Sequence, residues 1–170
     1  MDKETSALLQ ALNDQRNHVL GILGLPDLDG DVHMAAQPDV VLRRPVLPSG
    51  WSCLGLVQHL TVNDERLWFR GIIGGDSSLV SAFEDAWLVA GDTPADDVFQ
   101  AYRHEIRLAD AVIAGASLDA PPTIWPVEMW PNWRLPDFRA VMLHVITETA
   151  CHAGHLDAAR ELIDGEQWLA

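Results

Sequence analysis

The stretch from residue 136 to residue 164 constrains this chain more than any other part of it. It reads as one helix, with Pro136 and Asp137 suited to its first turn and Gly165 to its stop. Steps of three and four residues along it give Phe138, Val141, Val145, Glu148, His152, His155, Ala159 and Leu162. That spacing is the seam by which a helix faces a helical core. The seam begins and ends apolar, but its middle is Glu148, His152 and His155. Polar side chains in the centre of a core are costly unless they are paired or bind a metal. The rest of the chain must therefore fold so that neighbouring helices answer those three groups.

Three further helical patterns are available to do so. Residues 4–24 carry Leu8, Leu12, Gln15, Val19, Ile22 and Leu23 near helical spacing. Ser52 is a natural N-cap for a second helix that runs to Ile73 and ends at Gly74 and Gly75. Thr93 as cap and Pro94 at the first position open a third helix, which continues to about Gly115. Residues 25–50 and 116–135 are long, proline-rich connections, and Val40, Val41 and Leu42 suggest a short extended piece in the first. Residues 76–93 are mixed, with Phe83 and Trp87 expected to pack back on the helices. These patterns predict an all-α fold, a four-helix bundle with two long irregular connections, as one domain over residues 1–170.

Metal ligation is the sharpest account of the polar seam. Residues four apart stand one turn apart on a helix face, so Glu148 and His152 can offer a carboxylate oxygen and an imidazole nitrogen to one ion. His59, beside Leu56 and Leu60 on the second helix, is the facing candidate. Two His and one Glu suit a zinc-like divalent ion with a position left open; ligand type also admits nickel, iron or manganese. The plainer alternative is a Glu148–His152 ion pair, or a seam rotated towards solvent. His155 shares a face with His152 and reads as supporting a ligand or facing substrate; His144 reads as a core-edge histidine. His104 is expected in solvent rather than in the pocket, and His18 and His33 carry no context. Cys151 is expected to be a packed, inert thiol and Cys53 to be buried near Trp51. Trp125, Trp130 and Trp133 either wall an apolar pocket or cover one end of the bundle.

Charge narrows the partners. Eleven Lys and Arg stand against 25 Asp and Glu, a formal net charge of −14. Such a chain lacks the basic footprint that nucleic acid or an anionic membrane surface requires. Two cysteines fit a reducing compartment. The opening MDKETSALLQ has no charged-then-apolar leader, and the longest nearly apolar run, Val19 to Leu25, is far too short to span a bilayer. A cytoplasmic protein is expected.

Two segments, LPSGWSCLGLVQHL from Leu47 to Leu60 and ETACHAGHLDAARELIDG from Glu148 to Gly165, together resemble the DinB-like superfamily of metal-binding four-helix bundles. The nearer likeness is to its mycothiol-dependent branch of S-transferases and maleylpyruvate isomerase. The superfamily's usual ligands are one His on the second helix and an H-xxx-H pair on the last. His59 and His152 match two of them, and Glu148 stands where the first His of the pair is usual, as in the isomerase branch. The resemblance implies a divalent metal, zinc foremost, held by His59, Glu148 and His152. It also implies a thiol cosubstrate such as mycothiol, an electrophilic small molecule, and His155 or His144 as acceptor of the thiol proton. It suggests a homodimer. The isomerase has a further C-terminal domain, so transferase rather than isomerase activity is expected. A metal-dependent hydrolase, a metal-binding stress-response bundle and a metal-free bundle with a buried polar network are the rival readings.

Overall fold

The computed structural model describes residues 1–81 and 86–167, and every regular element among them is helical. Helix α1 spans Lys3–Ile22, with the Asp2 carboxylate accepting from the Thr5 N–H at 2.8 Å as its cap. A short α2, Asp39–Leu42, occupies the place where an extended piece was expected. Pro38 precedes it with φ −60°, and the Val41 and Leu42 N–H groups both close on the Pro38 carbonyl, so a helical turn wins over β-branched propensity. Helix α3, Cys53–His59, starts at Ser52, whose hydroxyl accepts from the Gly55 N–H at 3.1 Å. It continues without a break as a π-helical run, Leu60–Ile73. A short α4 follows at Ser77–Ser81, then α5 at Ala95–Gly115 and α6 at Phe138–Asp164.

The start of α5 differs from the sequence reading. Pro94 is the cap residue rather than the first helical one, and the Thr93 side chain makes no cap. The Ala95 N–H is instead taken by the Asp39 carboxylate at 3.0 Å, so α2 caps α5 from a distance. Helix α6 stops at Gly165 as its sequence suggests but starts at Phe138, so Asp137, expected in the first turn, is its cap. Asp137 accepts from the Ala140 N–H at 2.8 Å, and Gly165 closes the helix at φ 79°, a left-handed conformation that glycine adopts without strain.

The main packing is α1 along α6 and the π-helical run along α5, with α3 against α5 and the π-helical run against α6. Two apolar clusters result. One gathers Val19, Leu20, Leu54, Leu56, Tyr102 and Leu156; the other gathers Leu12, Phe69, Ile72, Phe138, Val141 and Val145. A belt of buried polar side chains lies between them along the helices: Arg16 on α1, Asp64 and Glu65 on the π-helical run, Glu105 on α5, and Thr149 and His152 on α6. Arg16 is fully buried, and its guanidinium grips both oxygens of Glu65 at 2.7 and 2.6 Å and reaches Asp110 at 2.7 Å. The sequence reading placed Gln15 on this face; its neighbour Arg16 takes the position because Glu65 and Asp110 satisfy it there.

The α6 seam also drifts from its expected line. The buried positions follow Phe138, Val141, Met142, Val145, Thr149, His152, Ala153, Leu156 and Ala159, while Leu162 is 61% exposed. A strict seven-residue step falls behind a straight α-helix by about 20° per heptad, which carries Leu162 out of the core. Glu148 and His155 thereby sit on the rim of the buried stripe, not in its middle. Phe83 lies outside the described residues. None of the described helices is long and apolar enough to cross a membrane.

Candidate functional site

The rim of α6 and the junction of α3 with the π-helical run meet at the polar belt. His152 is buried, and its ring centroid is 5.0 Å from that of His59 in an edge-on arrangement. Glu148, one turn back, brings Oε2 to 4.0 Å from His152 Nε2. His152 Nδ1 is buried with no hydrogen-bond partner among the described residues. Burial holds the His152 imidazole below its ordinary pKa, helped by nearby His155 and opposed by Glu148. It is therefore neutral at pH 7, the form that ligates a metal.

Trp87 stacks on His59 at 4.0 Å and meets His152 edge-on at 5.6 Å. Its placement is built into α3. Gln58 Nε2 donates to the carbonyls on either side, Ala86 at 3.0 Å and Leu88 at 2.8 Å. Gly55 lets the Trp87 segment approach so closely that a Cβ there would stand 2.2 Å from the Trp87 carbonyl oxygen.

Two cavities flank the histidine pair. The first, about 240 Å³, has His59, Asp64, His144 and Glu148 on its walls, with the rings of Trp68, Trp130 and Trp133. Trp68 and Trp130 stack at 5.1 Å, and Trp133 meets Trp68 edge-on at 5.9 Å. Trp125 stands outside this cavity as a support, its indole N–H donating to the Trp133 carbonyl at 3.1 Å. The expected tryptophan wall is thus made by Trp130 and Trp133 together with Trp68. His144 sits edge-on to Trp68 at 4.7 Å, and burial lowers its pKa. The second cavity, about 370 Å³, lies beyond Trp87 and is lined by Ser49, Gly50, Trp51 and Leu88 as well. His155 is exposed, 5.6 Å from His152 and 6.1 Å from Trp51. His144 thus lines the first cavity, while His155 lies near Trp51, a wall of the second.

The other expected residues fall elsewhere. His104 is exposed beside Arg107 on α5. His18 pairs with Asp157 at 2.9 Å and His33 with Asp27 at 2.8 Å. Cys53 is buried, which pushes its thiol up to about 11. Cys151 is exposed rather than packed, because it lies about 100° round α6 from His152, on the face shared with exposed Thr147 and Gly154.

Asp64, Trp68 and Trp87 were not among the expected site residues. In an α-helix, nine residues make two and a half turns, which puts Trp68 opposite His59. A π-helical turn takes about 4.4 residues, so nine residues make about two turns. The wide run Leu60–Ile73 thus brings Asp64 and Trp68 round to the His59 face. No sequence periodicity announces such a run.

Among the described residues, no three His, Cys, Asp or Glu side chains stand together as a group that could hold a metal ion. Tetrahedral ligands at zinc distances are about 3.3 Å apart, so the 4.0 Å from Glu148 to His152 must close slightly. Glu148 is 43% exposed, so its side chain has room to turn. The donor types, two imidazoles and a carboxylate, are those a divalent cation takes; the His152 nitrogen towards Glu148 is Nε2, and the one without a partner among the described residues is Nδ1.

A family model described as mycothiol-S-transferase matches residues 7–165, which takes in all of these groups. Searches among curated proteins and among solved structures returned no match.

Proposed function

The chain belongs to the mycothiol-S-transferase family, and we propose that it transfers a low-molecular-weight thiol, mycothiol or a close analogue, to an electrophilic small molecule with the help of a divalent metal. The observation that supports this reading is that His59 and Glu148 line an aromatic cavity, with the His152 ring 5.0 Å from that of His59 and its Nε2 4.0 Å from Glu148 Oε2. A divalent cation held by those three residues, zinc foremost and nickel also compatible, would supply a Lewis acid that lowers the pKa of a thiol beside it.

The chain's own residues do the rest. Trp68, Trp130 and Trp133 hold the electrophile by apolar contact and keep water from it. His144, neutral at pH 7 because it is partly buried, accepts the thiol proton on the side of that cavity. The freed sulfur forms its bond to the electrophilic carbon as the leaving group departs. His155 stands beside Trp51 at the second cavity, where it meets the body of the thiol cosubstrate. The acidic surface disfavours anionic electrophiles and points to neutral or apolar ones.

The test is metal content together with thiol-dependent turnover, on wild type and His152→Ala. The expected result is about one equivalent of divalent metal, lost in the variant together with thiol transfer. Absence of metal even after zinc or nickel is supplied would sink this reading. Turnover that persists without thiol would point to hydrolysis instead.

A further inference from the structure

Asp64 is a buried polar group of the aromatic cavity that nothing above employs. It is 4% exposed, and its Oδ2 is buried with no hydrogen-bond partner among the described residues. The same holds for the Asn63 side-chain oxygen, and both residues line the cavity beside the tryptophans. Among the described residues, no Lys or Arg lines it. Glu65, the adjacent carboxylate, already has its cation in Arg16. Burial, with repulsion from Glu65 and Glu148, raises the pKa of Asp64 well above the ordinary carboxyl range. An orphaned buried polar atom costs stability, so its presence asks for a partner from outside the chain.

Asn63 and the tryptophans of the lining fit the same kind of partner. The cavity's unpaired oxygens are acceptors, and the ring faces of three tryptophans supply the apolar remainder. We propose that Asp64 is a specificity-determining residue of this cavity, accepting a hydrogen bond from an N–H or O–H carried on a flat apolar ligand stacked against Trp68, Trp130 and Trp133. The electrophile class is thereby narrowed from apolar molecules to apolar molecules with one donor. The assignment rests on the reading that this cavity takes the electrophile, but its test needs no turnover.

The test compares two probes that differ by a single donor, indole and 1-methylindole, by ligand-observed NMR titration of the full chain at pH 7.5, with and without supplied zinc. Indole is expected to bind the wild type about tenfold more tightly than 1-methylindole, the size of one hydrogen bond to a desolvated acceptor. Asp64→Leu is expected to bind both probes alike, with 1-methylindole held as well as by the wild type. Retained 1-methylindole binding and an unchanged helical circular dichroism spectrum show that the variant is folded; if it is not, Asp64→Asn, which keeps a carbonyl acceptor, is expected to keep the indole preference, and its loss there would overturn the assignment. Equal binding of the two probes by the wild type would overturn the assignment. So would an indole preference that survives Asp64→Leu, or a Leu variant whose only defect is weaker zinc binding, which would make Asp64 a metal donor. Loss of thiol transfer with the indole preference intact would count against the transferase reading and leave Asp64 in place.

Discussion

Removing the buried guanidinium of Arg16 tests whether the polar belt holds the helices together around the site. Arg16 is fully buried and Glu65 is 1% exposed. The guanidinium makes two bonds to Glu65, one to Asp110 and one to Asn13, the longest at 2.7 Å. In Arg16→Met the Glu65 carboxylate is left without its cation, beside Asp64, whose pKa its charge already raises. Breaking a buried pair from one side costs about 3–5 kcal/mol, because the surviving charge stays desolvated. At about 2 kcal/mol per molar urea, that moves the unfolding midpoint down by about 2 M. Urea unfolding followed by tryptophan fluorescence and by circular dichroism reads this directly. The double variant Arg16→Met with Glu65→Leu strands no charge between the two and is expected to recover most of the loss. A single variant that loses less than about 1 kcal/mol, or a double variant no better than the single, would refute the reasoning.

Gly55→Ala is expected to cost about 1–3 kcal/mol, since the new methyl meets the Trp87 carbonyl, and to shift tryptophan fluorescence as Trp87 leaves the His59 ring. A thiol reagent is expected to label Cys151 alone in the native protein and both cysteines after denaturation, because Cys53 is buried with its thiol pushed up to about 11. His144 is held below its ordinary pKa by burial, so the unfolded chain binds its proton first. Its share of stability is therefore present above about pH 6.5 and is lost as pH falls through the folded value. Chemical denaturation between pH 7.5 and 5.5 should show a shallower loss in His144→Gln than in wild type.

The helices were legible because their ends are written in capping residues. Ser52 and Gly165 act where the sequence puts them, and Asp137, read into the first turn, acts as the cap just before it. His59 and His152 were legible as polar residues at apolar spacing, and the structure sets their rings 5.0 Å apart. Thr93 misled because the cap on α5 comes from Asp39, in another element, and no local pattern encodes a distant donor–acceptor pair. Leu162 misled because a seven-residue step was read over a helix too long for it. Trp87 belongs to an irregular connection, and only the Gln58 amide and the close approach at Gly55 explain its place over His59.

The wide turn of Leu60–Ile73 stores the layout of the cavity in the number of residues between His59 and Trp68, not in which residues they are. Substitutions along the run leave that count untouched, so a side-chain scan would find its surface-facing positions tolerant. Deleting one residue between Asp64 and Trp68, with the run relaxing to ordinary α-helix, would leave Asp64 about 140° and Trp68 about 80° round from His59 and take both off its face. Length is thus a heritable variable of this site, and a single codon lost or gained would redraw the pocket in one step.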